Sequence, residues 1–286
     1  MKPIKVLSLF NGMSVGYIAL KNAGIPVETY YSSEIDKFAI AESQANFPDI
    51  IQLGDITKWR DWDIDWGSID LLMGGFPCQA WSVAGKQGGV NDPRGMLFHT
   101  MVDIYQHIKS LNPYLKVLFE NVKMKTDFKE YINGILQMTP VLINSQHYTP
   151  HFRQRYYWCS TDNLIIPPPL SLSPKLQSIL EPGWYTDRDK SYCVDANYFK
   201  GGDCKQYFNK SRRQIVFSDP DINKQFLIEK GKRTVDYRHL TVKEACQLQG
   251  IDVNYFKVSS STQAYKMLGN GWTAPVIEHL LRVIFS

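Results

Sequence analysis

"LLMGGFPCQAWSVAG", Leu71 to Gly85, is the stretch on which the reading of this chain turns. An apolar run from Ile69 to Met73 stops at Gly74 and Gly75, and Pro77 and Cys78 follow. Most cysteines pack as small hydrophobes. This one stands just past the end of a strand-like run, and in open α/β sheets ligands bind outside the carboxyl ends of the strands. The stretch therefore predicts a buried strand with reactive chemistry at its tip.

Working outward, six more short apolar runs read as strands: "IKVLSLF" (4–10), "VETYYSS" (27–33), "DIIQL" (49–53), "LKVLFE" (115–120), "PVLIN" (140–144) and "RYYWCS" (155–160). Helical periodicity fills "VGYIALKNAG" (15–24), "DKFAIAESQANF" (36–47), "MLFHTMVDIYQHIKSL" (96–111) and "DFKEYINGILQM" (127–138). Strands alternating with helices predict a doubly wound, Rossmann-like parallel sheet in an α/β fold. The pattern breaks at "IIPPPLSLSPK" (165–175), whose four prolines disfavour regular structure. The expected organisation is a catalytic and cofactor-binding domain over 1–164 and a small β-and-loop domain over 165–238. A helical return over 239–286 then completes the first domain, with helices in "LTVKEACQLQG" (240–250) and "TAPVIEHLLRVIF" (273–285).

Composition narrows the class. The 286 residues suffice for one large domain or one large and one small. No apolar run approaches the roughly 20 residues of a membrane span. The opening "MKPIKVLSLFNGM" is too soon broken by Gly12 for a signal peptide. Five cysteines without a C-x-x-C pair argue against a disulfide framework or a zinc site and for a reducing interior. These features predict a soluble cytoplasmic protein with no membrane partner and no metal. Net charge is +4, and residues 186–240 carry twelve Lys/Arg against eight Asp/Glu, so the whole excess lies there. Its densest part, "KQYFNKSRR" (205–213), interleaves cations with aromatics, which suits a nucleic-acid backbone and its bases. A solvated basic face is the alternative.

Each of the first five strand candidates is followed by a candidate functional group: Asn11-Gly12 (with Gly16 beyond), Glu34, Gly54-Asp55, Pro77-Cys78 and Glu120-Asn121. Gly12 and Gly16 allow a tight turn and close backbone approach to a ligand, and an acid after the second strand accepts from ribose hydroxyls. The loop lacks the G-x-G-x-x-G spacing of a pyrophosphate site. A ligand with ribose and adenine but no phosphates fits better, with Asp55 accepting from the adenine amino group. Cys78 and Glu120 read as a reacting pair, a nucleophilic thiol beside a carboxyl that holds or moves a proton. Cytosine needs both: a thiolate added at C6, with an acid at N3, makes C5 nucleophilic enough to take a methyl group. The base must leave the helix stack for this.

Six segments carry a resemblance: "LSLFNGMSVG" (7–16), "GGFPCQAWS" (74–82), "FENV" (119–122), "HFRQRYYW" (151–158), "RHLTVKEACQLQGI" (238–251) and "YKMLGNGWTAPV" (265–276). In this order they resemble the motifs of the DNA (cytosine-5) methyltransferases, over nearly all the chain except about 167–232. The first motif and Trp272 are nearest to animal de novo members, while the short chain looks bacterial or phage. The resemblance implies a transferase acting on a flipped-out cytosine in a specific double-stranded DNA sequence, with S-adenosylmethionine as cofactor and S-adenosylhomocysteine as product. It implies Cys78 as nucleophile, Glu120 as the acid on the base, Asn121 as the brace of that loop, and Arg153 and Arg155 near the flipped base. For the cofactor it implies Phe10 under the adenine, with Asn11, Gly12, Gly16, Glu34, Ile35, Asp55, Ile56 and Pro77 around it. Leu97, Asn270 and Trp272 close over it. Phe10 and Leu97 have plain core packing as their alternative. Gln79 and Ser82 open a loop that closes on DNA, and Lys205, Lys210, Arg212 and Arg213 grip it. His151 replaces the glutamine that commonly opens the arginine motif, and Gly271 a common serine. One branch of the family acts on tRNA, and "PCQAWS" is unlike its residues after Pro-Cys. The expected state is a monomer associated with the nucleoid, with a cognate restriction endonuclease as a further partner.

Overall fold

The computed structural model describes residues 1–77, 93–161, 166–200, 204–221 and 236–286, without the side chains of Pro93, Arg94 and Lys205. Cys78, Gln79 and Ser82 lie outside the described residues, as does the side chain of Lys205. The chain forms two compact units. One comprises 1–143, 154–166 and 277–286; the other comprises 144–153 and 167–276.

All seven expected strands are present: β1 (Ile4–Leu9), β2 (Val27–Ser33), β3 (Ile51–Gln52), β4 (Leu71–Gly75), β5 (Lys116–Val122), β6 (Val141–Asn144) and β7 (Gln154–Cys159). They build one sheet in the order β3-β2-β1-β4-β5-β7-β6. The pairs β1–β2, β2–β3, β1–β4 and β4–β5 are parallel. The order reverses between β1 and β4, the switch point at which such sheets open a crevice. One sheet face packs Leu7, Leu9, Leu72, Val117 and Phe119 against Phe98, Met101, Ile104 and Ile108 of α3 (Pro93–Leu111), with Trp59 and Trp62 completing the core. Leu9 and Gly74 are register partners, and a Cβ at Gly74 would lie 2.9 Å from the Leu9 carbonyl oxygen. Only glycine fits there.

Helix α1 (Val15–Ala23) stops where Gly24 turns left-handed (φ 73°), and Asp36 caps α2 (Lys37–Asn46) by accepting from the Phe38 N–H at 3.0 Å. Helix α4 (Thr126–Leu136) buries Ile132 and Leu136. The sheet departs from the expected all-parallel order at β7, which runs antiparallel to β5. The connection across 145–153 contains only a 3-10 turn (Ser145–His147), with no crossover helix to bring the strand round parallel. That pairing also corrects a second expectation. Glu120 and Asn121 do not follow the fifth strand but lie within it, because β7 extends the ladder to Val122.

The second unit is largely irregular. It contains the two-stranded ribbon β8 (Ile215–Phe217) and β9 (Tyr237–His239), α5 (Cys204–Lys210), α6 (Val242–Gln249) and α7 (Ser261–Asn270). The expected helical return over 239–286 is divided at residue 277, within the final helix α8 (Ala274–Ile284). Its earlier part stays with the second unit because Leu240 and Leu248 pack with Leu176, Val194, Tyr198 and Val216. Thr241 and Glu244 form a capping box that starts α6. Arg238 clasps Glu244 with two bonds of 2.8 Å while lying over the Trp184 ring at 4.5 Å.

Burial alone would raise the Glu244 carboxyl, but the Arg238 bonds and the backbone N–H groups of Glu181 and Thr241 outweigh it and hold the group below its usual 4.5. A depressed carboxyl adds stability above the unfolded value that vanishes as pH falls through the folded one. Glu244→Gln should therefore melt well below the wild type at pH 7, the two curves converging as pH drops beneath about 4.5. An equal gap in melting temperature at pH 7 and pH 3 would contradict this account.

Candidate active site

The chemistry-bearing residues of the first unit gather at the carboxyl edge of its sheet. Gly75, the last residue of β4, is the register partner of Glu120, so Cys78 follows three residues beyond that pairing. Across the other edge of β5, Glu120 pairs with Tyr157 and Val122 with Arg155. Glu120 and Arg155 are thus diagonal neighbours on one sheet face, within reach of a long side chain. Arg155 Nε donates to Glu120 Oε1 at 3.0 Å, and both side chains are largely buried. Asn121 is 1% exposed; its Nδ2 donates to the Phe76 carbonyl at 3.0 Å and its Oδ1 accepts from the Val122 N–H at 2.8 Å. Asn121 therefore fixes the backbone two residues before Cys78.

Two strands away from β5 along the sheet, the turn after β1 is unusual. Phe10, Gly12 and Ser14 all have left-handed φ, at 54°, 57° and 61°. Non-glycine residues there cost on the order of 1–3 kcal/mol each and persist only where the surroundings over-determine them. Here Gly12 N–H donates to Glu34 Oε2 at 2.7 Å, and Asn11 N–H to the Ser33 carbonyl at 3.1 Å. Glu34 Oε1 accepts from the N–H groups of Ile35 and Asp36 at 2.8 and 2.9 Å. Three bonds leave part of this carboxylate's acceptor capacity unused. Beside it Ile35 is 74% exposed, a large aliphatic face at a strand end. Asp55 accepts from the Thr57 N–H at 2.9 Å, and that bond holds its carboxyl below the usual range.

Other expected cofactor residues have different surroundings. Asn11 spends its amide within the turn, donating to Ser14 Oγ at 2.7 Å and accepting from the Tyr30 hydroxyl at 2.9 Å. A Cβ at Gly16 would lie 2.7 Å from Met73 Cε, so this glycine serves helix-to-sheet packing. Ile56 is a core residue, and Phe10 and Leu97 pack half-buried against the same core. Pro77 is half-buried at the end of the described segment. Asn270 and Trp272 belong to the second unit.

Arg153 also belongs there. Its guanidinium donates to the carbonyls of Val194, Gly269 and Gly271 at 3.3, 3.1 and 2.8 Å, gripping the backbone on both sides of Asn270. Of the two arginines in the motif, Arg155 is the one paired with Glu120. Ser145, Thr273 and Gln249 continue the clamp through hydroxyl and amide bonds of 2.9 and 2.8 Å, and Gln249 reaches the Leu268 carbonyl. Sequence reading missed these three, whose partners lie up to 128 residues away. In "KQYFNKSRR" the aromatics turn inward: Tyr207 is fully buried with Ile215 and Phe217, and Phe208 packs against them. Lys210 and Arg212 are exposed, Arg212 pairing with Asp195 at 3.0 Å, and Arg213 is half-buried. Burial pushes the thiols of Cys159 and Cys246 up to about 12, which removes them as nucleophiles. Among the described residues, no group of three or more His, Cys, Asp or Glu could hold a metal ion. Nor, among them, is any helix long and apolar enough to cross a membrane.

Removing one partner of a buried ion pair costs about 3–5 kcal/mol, whereas replacing both is often neutral. Arg155→Met should accordingly lower stability by about that amount in denaturant titration, and adding Glu120→Gln should recover most of it. Simple additivity of the two losses would show that the pair is not coupled.

Comparisons with known proteins give the family. The family described as "C-5 cytosine-specific DNA methylase" matches residues 4–286. Type II methyltransferase M1.ScrFI of Lactococcus lactis subsp. cremoris is 32% identical, the match covering 98% of this chain and 78% of that protein. Type II methyltransferase M.SsoII of Shigella sonnei is 30% identical over 99% of this chain and 80% of its own. A crystal structure of a DNMT2 mutant from Spodoptera frugiperda shares the fold with a TM-score of 0.69 at 21% identity, covering 99% of this chain and 100% of that one. The chain belongs to the C-5 cytosine-specific DNA methylases and is a DNA (cytosine-5) methyltransferase, an enzyme that transfers a methyl group to cytosine in DNA.

Proposed function

We propose that this methyltransferase acts on a cytosine flipped out of double-stranded DNA in a specific sequence context, through a covalent bond between Cys78 and C6 of the base. The observation that carries the reading is the buried Glu120–Arg155 pair beside the end of the strand that leads to Cys78. The guanidinium fixes the carboxyl where it can bond N3 and the exocyclic amino group, so that when the thiolate adds at C6 and the C5=C6 π bond breaks, the displaced electron pair makes C5 nucleophilic. Asn121, through the Phe76 carbonyl, sets the approach of the nucleophile. Loss of the C5 proton after methylation, with expulsion of Cys78, restores the ring. Flipping costs roughly a few kcal/mol.

S-adenosylmethionine, when bound, supplies an electrophilic methyl carbon. The strand ends of the first unit suit its adenosine: Glu34 has acceptor capacity for ribose hydroxyls, Ile35 offers an uncovered apolar face, and Asp55 accepts from an adenine amino group. Asn270 and Trp272 are assigned to the cofactor by family resemblance, and Arg153 shapes their turn. Target choice falls to the second unit, with phosphate contacts from Lys205, Lys210, Arg212 and Arg213, while Gln79 and Ser82 meet the DNA from the catalytic side. The two bacterial relatives are named Type II methyltransferases, which favours a partner endonuclease reading the same site.

DNA carrying 5-fluorocytosine cannot lose its C5 substituent, so with cofactor present it should accumulate as a denaturation-resistant complex on gels. Cys78→Ser should abolish both that complex and turnover. An active Cys78→Ser enzyme would overturn the mechanism. Bisulfite sequencing of DNA from expressing cells should show one methylated context, and Lys210→Ala should weaken binding to all sequences while lowering the salt slope by about one. Methylation without sequence context would exclude the specificity proposed for the second unit.

A further inference from the structure

The left-handed turn after β1 is held by a chain of hydroxyl and amide groups, two of which, from Tyr30 and Ser43, lie outside the motif segments. The Tyr30 hydroxyl donates to Asn11 Oδ1 at 2.9 Å. Asn11 Nδ2 donates to Ser14 Oγ at 2.7 Å, and Ser14 Oγ is hydrogen-bonded to Ser43 Oγ of α2 at 2.6 Å. Ser14 and Ser43 are fully buried and Tyr30 is nearly so. A residue at the start of a helix ordinarily has extended backbone and caps the first turn with its side chain. Ser14 does neither: it is left-handed, and its hydroxyl is committed to Asn11 and Ser43. The shape of residues 10–14 is therefore fixed through Asn11, and the orientation of the Asn11 amide is fixed by Tyr30.

The Tyr30 ring is itself closely held. It meets the Tyr17 ring edge-on at 5.1 Å, and its hydroxyl lies 3.2 Å from where a Cβ at Gly16 would stand. The absence of a side chain at Gly16 thus makes room for Met73 Cε and for the hydroxyl that reaches the turn. Burial raises the Tyr30 hydroxyl well above its usual range, so it remains a donor at any working pH. The same turn presents the Gly12 N–H to Glu34, the acid assigned to the ribose.

We infer that Tyr30 is a positioning residue for the cofactor: by holding Asn11 it keeps the 10–14 turn in its left-handed form before S-adenosylmethionine arrives. This rests on the cofactor reading given under Proposed function. Without the hydroxyl the turn relaxes in the free protein, and binding must impose the disfavoured backbone at the expense of affinity.

The test is calorimetric titration of S-adenosylmethionine into the full chain, for wild type, Tyr30→Phe, Asn11→Ala and the double variant. Tyr30→Phe keeps the ring and its packing, and should raise Kd roughly tenfold. The loss should fall on KM for S-adenosylmethionine rather than on kcat. Because Tyr30 acts through Asn11, the double variant should bind as Asn11→Ala does, within twofold. Ser43→Ala, which releases the far end of the chain of bonds, should weaken binding about threefold in the same direction. An unchanged Kd in Tyr30→Phe, or losses that multiply in the double variant, overturns this inference alone. A wild-type protein that does not bind S-adenosylmethionine overturns the cofactor reading and this inference together.

Discussion

The antiparallel pairing of β7 with β5 is the constraint on which the active site depends. A strand that ended at Phe119 would leave Glu120 on a loop, free to turn to water. Pairing on both sides of β5 carries the strand to Val122 and fixes the Glu120 backbone between Gly75 and Tyr157. The same register makes Arg155 its diagonal neighbour, so a guanidinium is delivered to the carboxylate without any loop having to order itself. Burying such a pair brings little or no net stability, because two desolvated ions give up about as much as they gain. Its presence at the strand tip is better understood as fixing the position of the carboxylate, which the proposed mechanism uses to hold the base.

Backbone conformations that side chains disfavour are stored in the turn after β1, two strands away. The turn from Phe10 to Ser14 alternates left-handed and ordinary residues, and it is bound by Ser33 of β2, by Glu34 just beyond that strand and by Ser43 of α2. Glycine at positions 12 and 16 answers two separate demands. Gly12 supplies a positive φ, whereas Gly16 removes a Cβ from the path of Met73. A single glycine pattern in the sequence thus encodes one backbone requirement and one packing requirement.

The second unit stabilises itself by a different device. Its elements are short, and its apolar clusters are small and rich in tyrosine. Buried polar connections do much of the joining: Arg238 with Glu244, Arg153 with three carbonyls, and Thr241 with the start of α6. Arg153 shows how one motif serves two ends. Two residues apart in sequence, Arg153 and Arg155 are consigned to different units, one to the Gly269–Gly271 backbone and the other to Glu120.

Local pattern was enough to locate the seven strands, most helices and the glycine stop of α1. These are consequences of periodicity and turn chemistry, which act over a few residues and so are written in neighbouring letters. The family too was legible, because its motifs are short, contiguous strings. The sequence did not disclose the direction of β7, since chain direction follows from what a connection can span rather than from the strand's own residues. Nor did it separate Arg153 from Arg155, or reveal that Tyr30 reaches Asn11 from the next strand and Ser145 meets Thr273 from across the chain. Those pairings join residues whose spacing carries no period. Tertiary structure decided them, because a buried hydroxyl, amide or guanidinium must find a partner, and only the folded backbone determines which one lies within 3 Å.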